Sequence, residues 1–414
     1  MGAAPVSLTR LMDQSPTKSA ASLRGHWSLD PENHFLNHGS YGACPNEVLA
    51  EQRRWRDRME RQPVAFLSRE IYGYLDEARE ALASFISCDV GGLVFVANAT
   101  SGVNAVLRSL ELKPSDEILV TDQGYNACNN AAQFVCDRSG ANLVKAALPF
   151  PCASPDEAFN AIMEAATENT VLALLDHITS PTGMLLPIAR LVDALQGRGI
   201  DVLVDGAHAP GQVPLDLGAL GAAYYTGNCH KWLCTPKGSA LLHVREDRRD
   251  RVRPTAISHG ANTPRPNHTR LQDEFDWPGT TDPTPWLCVP FAIDFLRSLV
   301  PGGWDEIRQR NHALALRART RLSEVLGVPA PLPPEMIANM TAFTLPPSSD
   351  ETPVSAFGTD PLQVKLIENH HVEIPIFPWP AAPERVLRVS AQLYNDENDL
   401  EALVTALAKE GIGH

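Results

Sequence analysis

The chain has 414 residues, enough for about two domains rather than one simple core. With 44% apolar and 20% charged residues it reads as an ordinary soluble globular protein, and a formal charge of -14 argues against a nucleic-acid surface or an anionic membrane as partner. No stretch approaches the roughly 20 apolar residues of a membrane helix, and the eight cysteines form no CxxC pair, which reads as reduced core thiols with no metal site.

Residues 1–32 read as a flexible tail. Their start carries Arg10, Lys18 and Arg24 among small and hydroxyl residues, partly like a transit peptide, but lacks a secretory core, so a cytoplasmic chain is expected. The turn-rich "LNHGSYGACP" at 36–45 leads into amphipathic patterns over 46–61 and 73–87. An alternation then begins, with strands predicted at 93–97, 117–121, 142–148, 170–176, 201–205, 222–227 and 239–244. Helical periodicity separates them at 103–110, 126–138, 155–167 and 187–197. Short, almost continuously apolar strands between helices predict an α/β fold: a mostly parallel seven-stranded sheet with helices on both faces. A Pro- and Asn-rich connection at 265–285 and helices at 285–299 and 303–326 follow. The stretches "MIANMTAFTL", "VEIPIF" and "RVLRVSAQ", with helices near 360–369 and 396–409, then predict a smaller α+β domain. The domain reading is an N-terminal arm and large domain over 33–285, then linking helices and a small domain over 286–414.

Parallel sheets bind ligands beyond the carboxyl ends of their strands, where Ala99, Thr100, Ser101, Tyr125, Asp205 and Lys231 all fall. Asp205 ends a strand in "VLVDGAHAPG"; alone, it reads as a turn residue. Lys231, in "TGNCHKWLC", follows one strand later. An amine in an apolar crevice loses hydration, which favours its neutral, nucleophilic form. A lysine able to form an imine and a strand-end carboxylate able to keep a pyridine nitrogen protonated are what pyridoxal phosphate requires. "NATSG" opens a helix after a strand, so backbone N–H groups and the hydroxyls of Thr100 and Ser101 suit a phosphate.

These segments, with "DQGYNA", "DHITSPTG", "WPGTTDPTPW" and "LRVSAQLYN", resemble the class V aminotransferase-like group of fold type I pyridoxal phosphate enzymes. Within that group the chain looks most similar to isopenicillin N epimerase and related carbon–sulfur lyases. The resemblance covers about residues 33–410. It implies pyridoxal 5'-phosphate as cofactor, Lys231 as the imine lysine, Asp205 on the pyridine nitrogen, His208 beside the ring and Tyr125 stacked on it. Thr100, Asn228 and His230 fall where the family binds phosphate. Thr280 or Thr281 resembles a phosphate contact given by a neighbouring subunit, which implies a homodimer. Ser180 stands where many relatives carry a ring-contacting asparagine. Arg388 matches the arginine that grips the substrate carboxylate, a task suited to a planar guanidinium. Asn37 is a second carboxylate contact by the same resemblance. His38 reads equally as a turn histidine or a catalytic group, and Arg69 equally as a surface arginine or a contact for a distal substrate charge.

Four outcomes at Cα are open. Sulfur transfer through a persulfide is disfavoured, because no cysteine follows Cys288. Epimerisation of an L-amino acid or peptide-like amine needs Lys231 on one face and a second acid on the other, with Tyr125 and His38 as the groups to consider. β-Elimination from a cysteine conjugate or sulfoxide needs only Lys231 and a good leaving group. Transamination is the remaining outcome at Cα, and a cofactor-binding protein without turnover is a reading of a different class. The resemblance favours epimerase chemistry.

Overall fold

The computed structural model describes residues 19–348 and 360–413. Its large sheet contains β1 (Leu93–Val96), β2 (Glu117–Thr121), β3 (Asn142–Ala146), β4 (Thr170–Asp176), β5 (Asp201–Asp205), β6 (Tyr224–Asn228) and β7 (Ala240–Val244). Their spatial order is β1-β7-β6-β5-β4-β2-β3. β7 runs antiparallel to both neighbours, while the pairs from β6 through β3 are parallel. The expected mostly parallel, seven-stranded sheet is therefore present.

Period-two geometry sends alternate strand residues to opposite faces. Val202 and Val204 of β5 join a core with Leu191 and Leu195 of the Ile188–Gly197 helix, while Leu203 joins another on the opposite face. That second core includes Val103, Val106 and Leu107 of α1 (Ala99–Arg108) and Ala132 and Val135 of α2 (Asn126–Ser139). Both faces are covered, which explains why the strands lack polar alternation.

The smaller domain holds an antiparallel sheet of β8 (Met340–Leu345), β9 (Ile376–Pro378) and β10 (Arg385–Ser390), in the order β9-β10-β8. The arm is tied to this domain: His34–Phe35 pairs with Val372–Glu373, and the Ser390 N–H donates to the Leu36 carbonyl at 2.9 Å. That seam carries residues 37–42 across to the strand ends of the large sheet.

Three expectations need correction. The ordered body reaches back at least to Ser19, because Leu23 and Trp27 are buried and Trp27 packs against Tyr394; residues 1–18 of the expected tail lie outside the described residues. α1 starts at Ala99, not at Val103, because Asn98 caps it by accepting from the Ser101 N–H. The segment read as an irregular connection contains a buried helix, Arg270–Asp276, opened by a Thr269/Gln272 capping box. Among the described residues no helix is long and apolar enough to cross a membrane.

Candidate active site

β4, β5 and β6 stop at Asp176, Asp205 and Asn228, all on the carboxyl edge of the sheet. Their side chains line one cavity of about 690 Å³. The start of α1 (Ala99, Thr100, Ser101) and Tyr125, which caps α2, also face it. Ser40 and Tyr41 of the arm complete the wall with Lys231.

The turn after β6 is held in place from two sides. Cys229 and His230 donate their N–H groups to the Ser239 carbonyl at 3.0 and 3.1 Å. The arm presses on the same turn: Gly42 sits at φ +70°, and a Cβ there would lie 2.2 Å from the His230 carbonyl oxygen. Only glycine accommodates both the conformation and the approach.

Lys231 therefore projects into the cavity from a rigid base. Its Nζ lies 3.2 Å from His208 Nε2, and Trp232 Nε1–H donates to His208 Nδ1 at 3.5 Å. The indole bond assigns the neutral imidazole proton to Nε2 and aims it at the amine lone pair. Burial, strengthened by the Arg388 charge and opposed by Asp205 and Asp176, brings Lys231 down from 10.5 to about 7. Burial also holds His208 well below the ordinary histidine value. Tucked beside Lys231, Trp232 is a packed wedge that orients the histidine.

Asp205 accepts the Ala207 N–H at 2.9 Å and the Cys128 thiol at 3.1 Å. Burial raises its carboxyl, and these two donors counter that rise. At the other end of the cavity, Asn228 Oδ1 accepts the Ala99 N–H at 2.8 Å, and Asn98 Oδ1 accepts the Ser101 N–H at 2.9 Å. His230 donates Nδ1–H to the Ser239 carbonyl at 2.9 Å, which leaves Nε2 of the neutral ring as an acceptor, able to take a proton from a phosphate oxygen.

Arg388, on β10, is almost fully buried; it donates to the Ser180 carbonyl and, at 3.3 Å, to Ser40 Oγ. Ser180 and Ser40 both line the cavity. Burial lowers the guanidinium to about 10, and its Nε is buried without a partner. A buried cation with an orphaned donor suits a carboxylate guest. The amine, the strand-end carboxylate and the helix N-terminus, arranged around one crevice, fit the amine-binding, nitrogen-binding and phosphate-binding needs of pyridoxal phosphate.

The aminotransferase class-V family pattern matches residues 44–403. The chain belongs to that family. It is accordingly a pyridoxal-phosphate-dependent enzyme, as the sequence resemblance implied. An isopenicillin N epimerase of Amycolatopsis lactamdurans is 36% identical, with 94% of this chain and 97% of the relative aligned. A probable chloroplastic L-cysteine desulfhydrase of Arabidopsis thaliana is 31% identical, over 92% of this chain and 84% of the relative. Among solved structures, the cystine C-S lyase C-DES in complex with cysteine persulfide superposes with a TM-score of 0.76 at 21% identity, covering 93% of this chain and 99% of that one. At that identity the likeness speaks for the fold.

The cavity gathers Ala99, Thr100, Ser101, Tyr125, Ser180, Asp205, His208, Asn228, His230 and Lys231. Three candidate contacts, His38, Asn37 and Arg69, lie elsewhere. His38 is buried behind the Lys231 backbone, with Nδ1 at 2.8 Å from the Tyr394 hydroxyl and Nε2 at 3.0 Å from the Lys231 carbonyl, so it supports the turn instead of facing substrate. Asn37 donates to Glu373 at 3.0 Å and accepts from Ser40, acting one step behind the cavity. Thr280 and Thr281, expected to reach the cofactor of a neighbouring subunit, are exposed and line no part of this chain's own cavity. Arg69 is likewise exposed. Sequence reasoning missed Asp176, Cys128, Ser40, Tyr41 and Lys237. Of these, Asp176 left a readable trace: "LLD" ends β4 just as "LVD" ends β5.

Proposed function

We propose that the chain acts at Cα of an L-amino acid or peptide-like amine and inverts that centre, as an epimerase. The observation that carries this reading is a buried, weakly basic Lys231 amine in one crevice with Asp205, with Arg388 held against two of its lining serines. The near full-length match to the Amycolatopsis epimerase supports it. Bound pyridoxal phosphate supplies the electron sink for the pair left at Cα. Asp205 would balance charge at the ring nitrogen, and Tyr125 would pack against the ring. Thr100, Ser101, Asn228 and His230 hold the phosphate, completed by Thr280 or Thr281 of a second copy in a homodimer. Arg388 would grip the substrate carboxylate and set Cα beside Lys231, which takes the proton from one face. Inversion requires a donor on the other face. His38 has both ring nitrogens engaged, so of the two groups considered Tyr125 remains.

The second reading is carbon–sulfur β-elimination, favoured by the 31% identical desulfhydrase. It needs only Lys231 and a thiolate or sulfenate leaving group. Incubating the holoenzyme in deuterated water with amino acids and their sulfur-substituted analogues separates the two. Deuterium at Cα together with the mirror-image product supports epimerisation. A keto acid without inversion moves the assignment to the lyase.

A further inference from the structure

Asp176 and Asp205 are register partners on adjacent parallel strands, so two carboxyl groups leave neighbouring strand ends into the same crevice. Both are buried, at 6% and 3% exposed. Two carboxylates placed this way cannot both ionise without cations to hold them. The groups around them give little such help. Lys231, after β6, holds a full charge only well below pH 7; Cys128 of α2 is a buried thiol; His208 and His177 are buried imidazoles that burial keeps from charging. Arg388 reaches toward Ser180 and Ser40. One proton must therefore stay on the pair.

The donors decide which carboxyl group keeps it. Asp205 accepts from the Ala207 N–H and the Cys128 thiol, and it is the group placed to meet a ring nitrogen. The Asp176 carboxyl lies beside the backbone N–H groups of Tyr125, the cap residue of α2, and of Asp176 itself, and unlike Asp205 it meets no side-chain donor among the described residues. Hydrogen bonds to a carboxylate favour its charged form. We propose that Asp176 is a positioning residue that works as a neutral carboxylic acid, anchoring Tyr125 through its backbone N–H and leaving Asp205 as the one carboxylate that faces the ring nitrogen. The desolvation of Asp176 beside the Asp205 charge, which drives its carboxyl upward, agrees with this. So does its small cost to the nucleophile: a second full negative charge next to Lys231 would pull the amine back toward its protonated form.

This inference rests on the cofactor reading of the cavity, and its test keeps the two apart. Asp176→Asn copies the neutral acid and keeps an oxygen for the Tyr125 N–H. Asp176→Ala removes both. Cofactor affinity, the visible circular dichroism of the bound cofactor and the infrared carboxyl spectrum are compared with the wild type. The Asn variant is expected to hold pyridoxal phosphate within about threefold of the wild type. Its infrared difference spectrum should lack one protonated-carboxyl stretch that shifts in deuterated water. The Ala variant is expected to lose about tenfold in cofactor affinity and to alter the dichroism, since Tyr125 is released. A tenfold loss in the Asn variant, or a difference spectrum with carboxylate bands alone, would overturn the neutral-acid assignment. Identical behaviour of Asn and Ala would overturn the anchor. Should the Ala variant not fold, the affinity and infrared bands of the isosteric Asn variant still decide. If the wild type itself captures no pyridoxal phosphate, the cofactor reading fails, and the infrared assignment is read on the empty protein.

Discussion

Two clusters of buried charge lie in the large domain, and they are built in opposite ways. Around the helix Arg270–Asp276, every buried acid has a guanidinium partner. Arg79 meets Asp276 at 2.5 Å, Arg265 meets Asp273 at 2.8 Å and Asp276 at 2.7 Å, and Arg253 meets Glu274. In the crevice, the charged groups touch neutral partners instead: Lys231 an imidazole, Asp205 a thiol and a backbone N–H, Arg388 a carbonyl and a hydroxyl. The first arrangement sets each acid against a guanidinium at a fixed position. The second leaves Lys231, Asp176 and His208 far from their ordinary protonation, which requires a guest to complete it. Burial alone does not mark a functional site; burial without a partner charge does.

The sharpest way to break this contrast is to remove one cation from each cluster. Lys231→Ala is expected to abolish the visible absorbance of the bound cofactor and to lower kcat by at least about 10³. Its denaturation midpoint should hold or rise, because a reluctantly buried amine is gone. Arg79→Ala should do the reverse. It leaves Asp276 to Arg265 alone and Asp76 to His268, costs about 3 kcal/mol of stability in a denaturant titration, at the lower end for a broken buried pair, and leaves kcat per folded molecule unchanged. If Lys231→Ala unfolds the chain while Arg79→Ala silences it, the division between the clusters is wrong. A smaller effect sharpens the picture: Arg388→Lys keeps the charge but loses the fork, so KM for the amino acid should rise about tenfold while cofactor affinity stays put.

The same contrast explains what could be read from the sequence. The seven strands and the Lys231–Asp205 pair were legible, because continuous apolar runs and strand-end polar residues are local signals. The paired cluster was not. Arg79 and Asp276 are 197 positions apart, and a stretch rich in Pro and Asn conceals a helix that only its capping box betrays. His38 shows the opposite failure. Its neighbours in "LNHGS" suggested a role at the substrate, while its ring is spent on Tyr394 and the Lys231 carbonyl, partners that no spacing rule connects to it. Asp176 needed the register of β4 against β5 before its meaning beside Asp205 could appear.

The finest test concerns protons. Lys231 sits at about 7 where an exposed lysine sits at 10.5, so the neutral amine grows as pH rises through 7. About a tenth is neutral at pH 6, half at pH 7 and nine-tenths at pH 8. Capture of pyridoxal phosphate by the cofactor-free protein, followed by rapid mixing, should track that fraction and rise only about twofold between pH 7 and pH 9. A midpoint near 10 would mean that the amine is solvated and the crevice is not dry. The neighbours set the direction of further change. Asp205 supports the charged amine, so Asp205→Asn should move the midpoint down; Arg388 opposes it, so Arg388→Gln should move it up. Opposite shifts from two single substitutions would tie the low basicity to these partners, because desolvation alone would move both variants the same way.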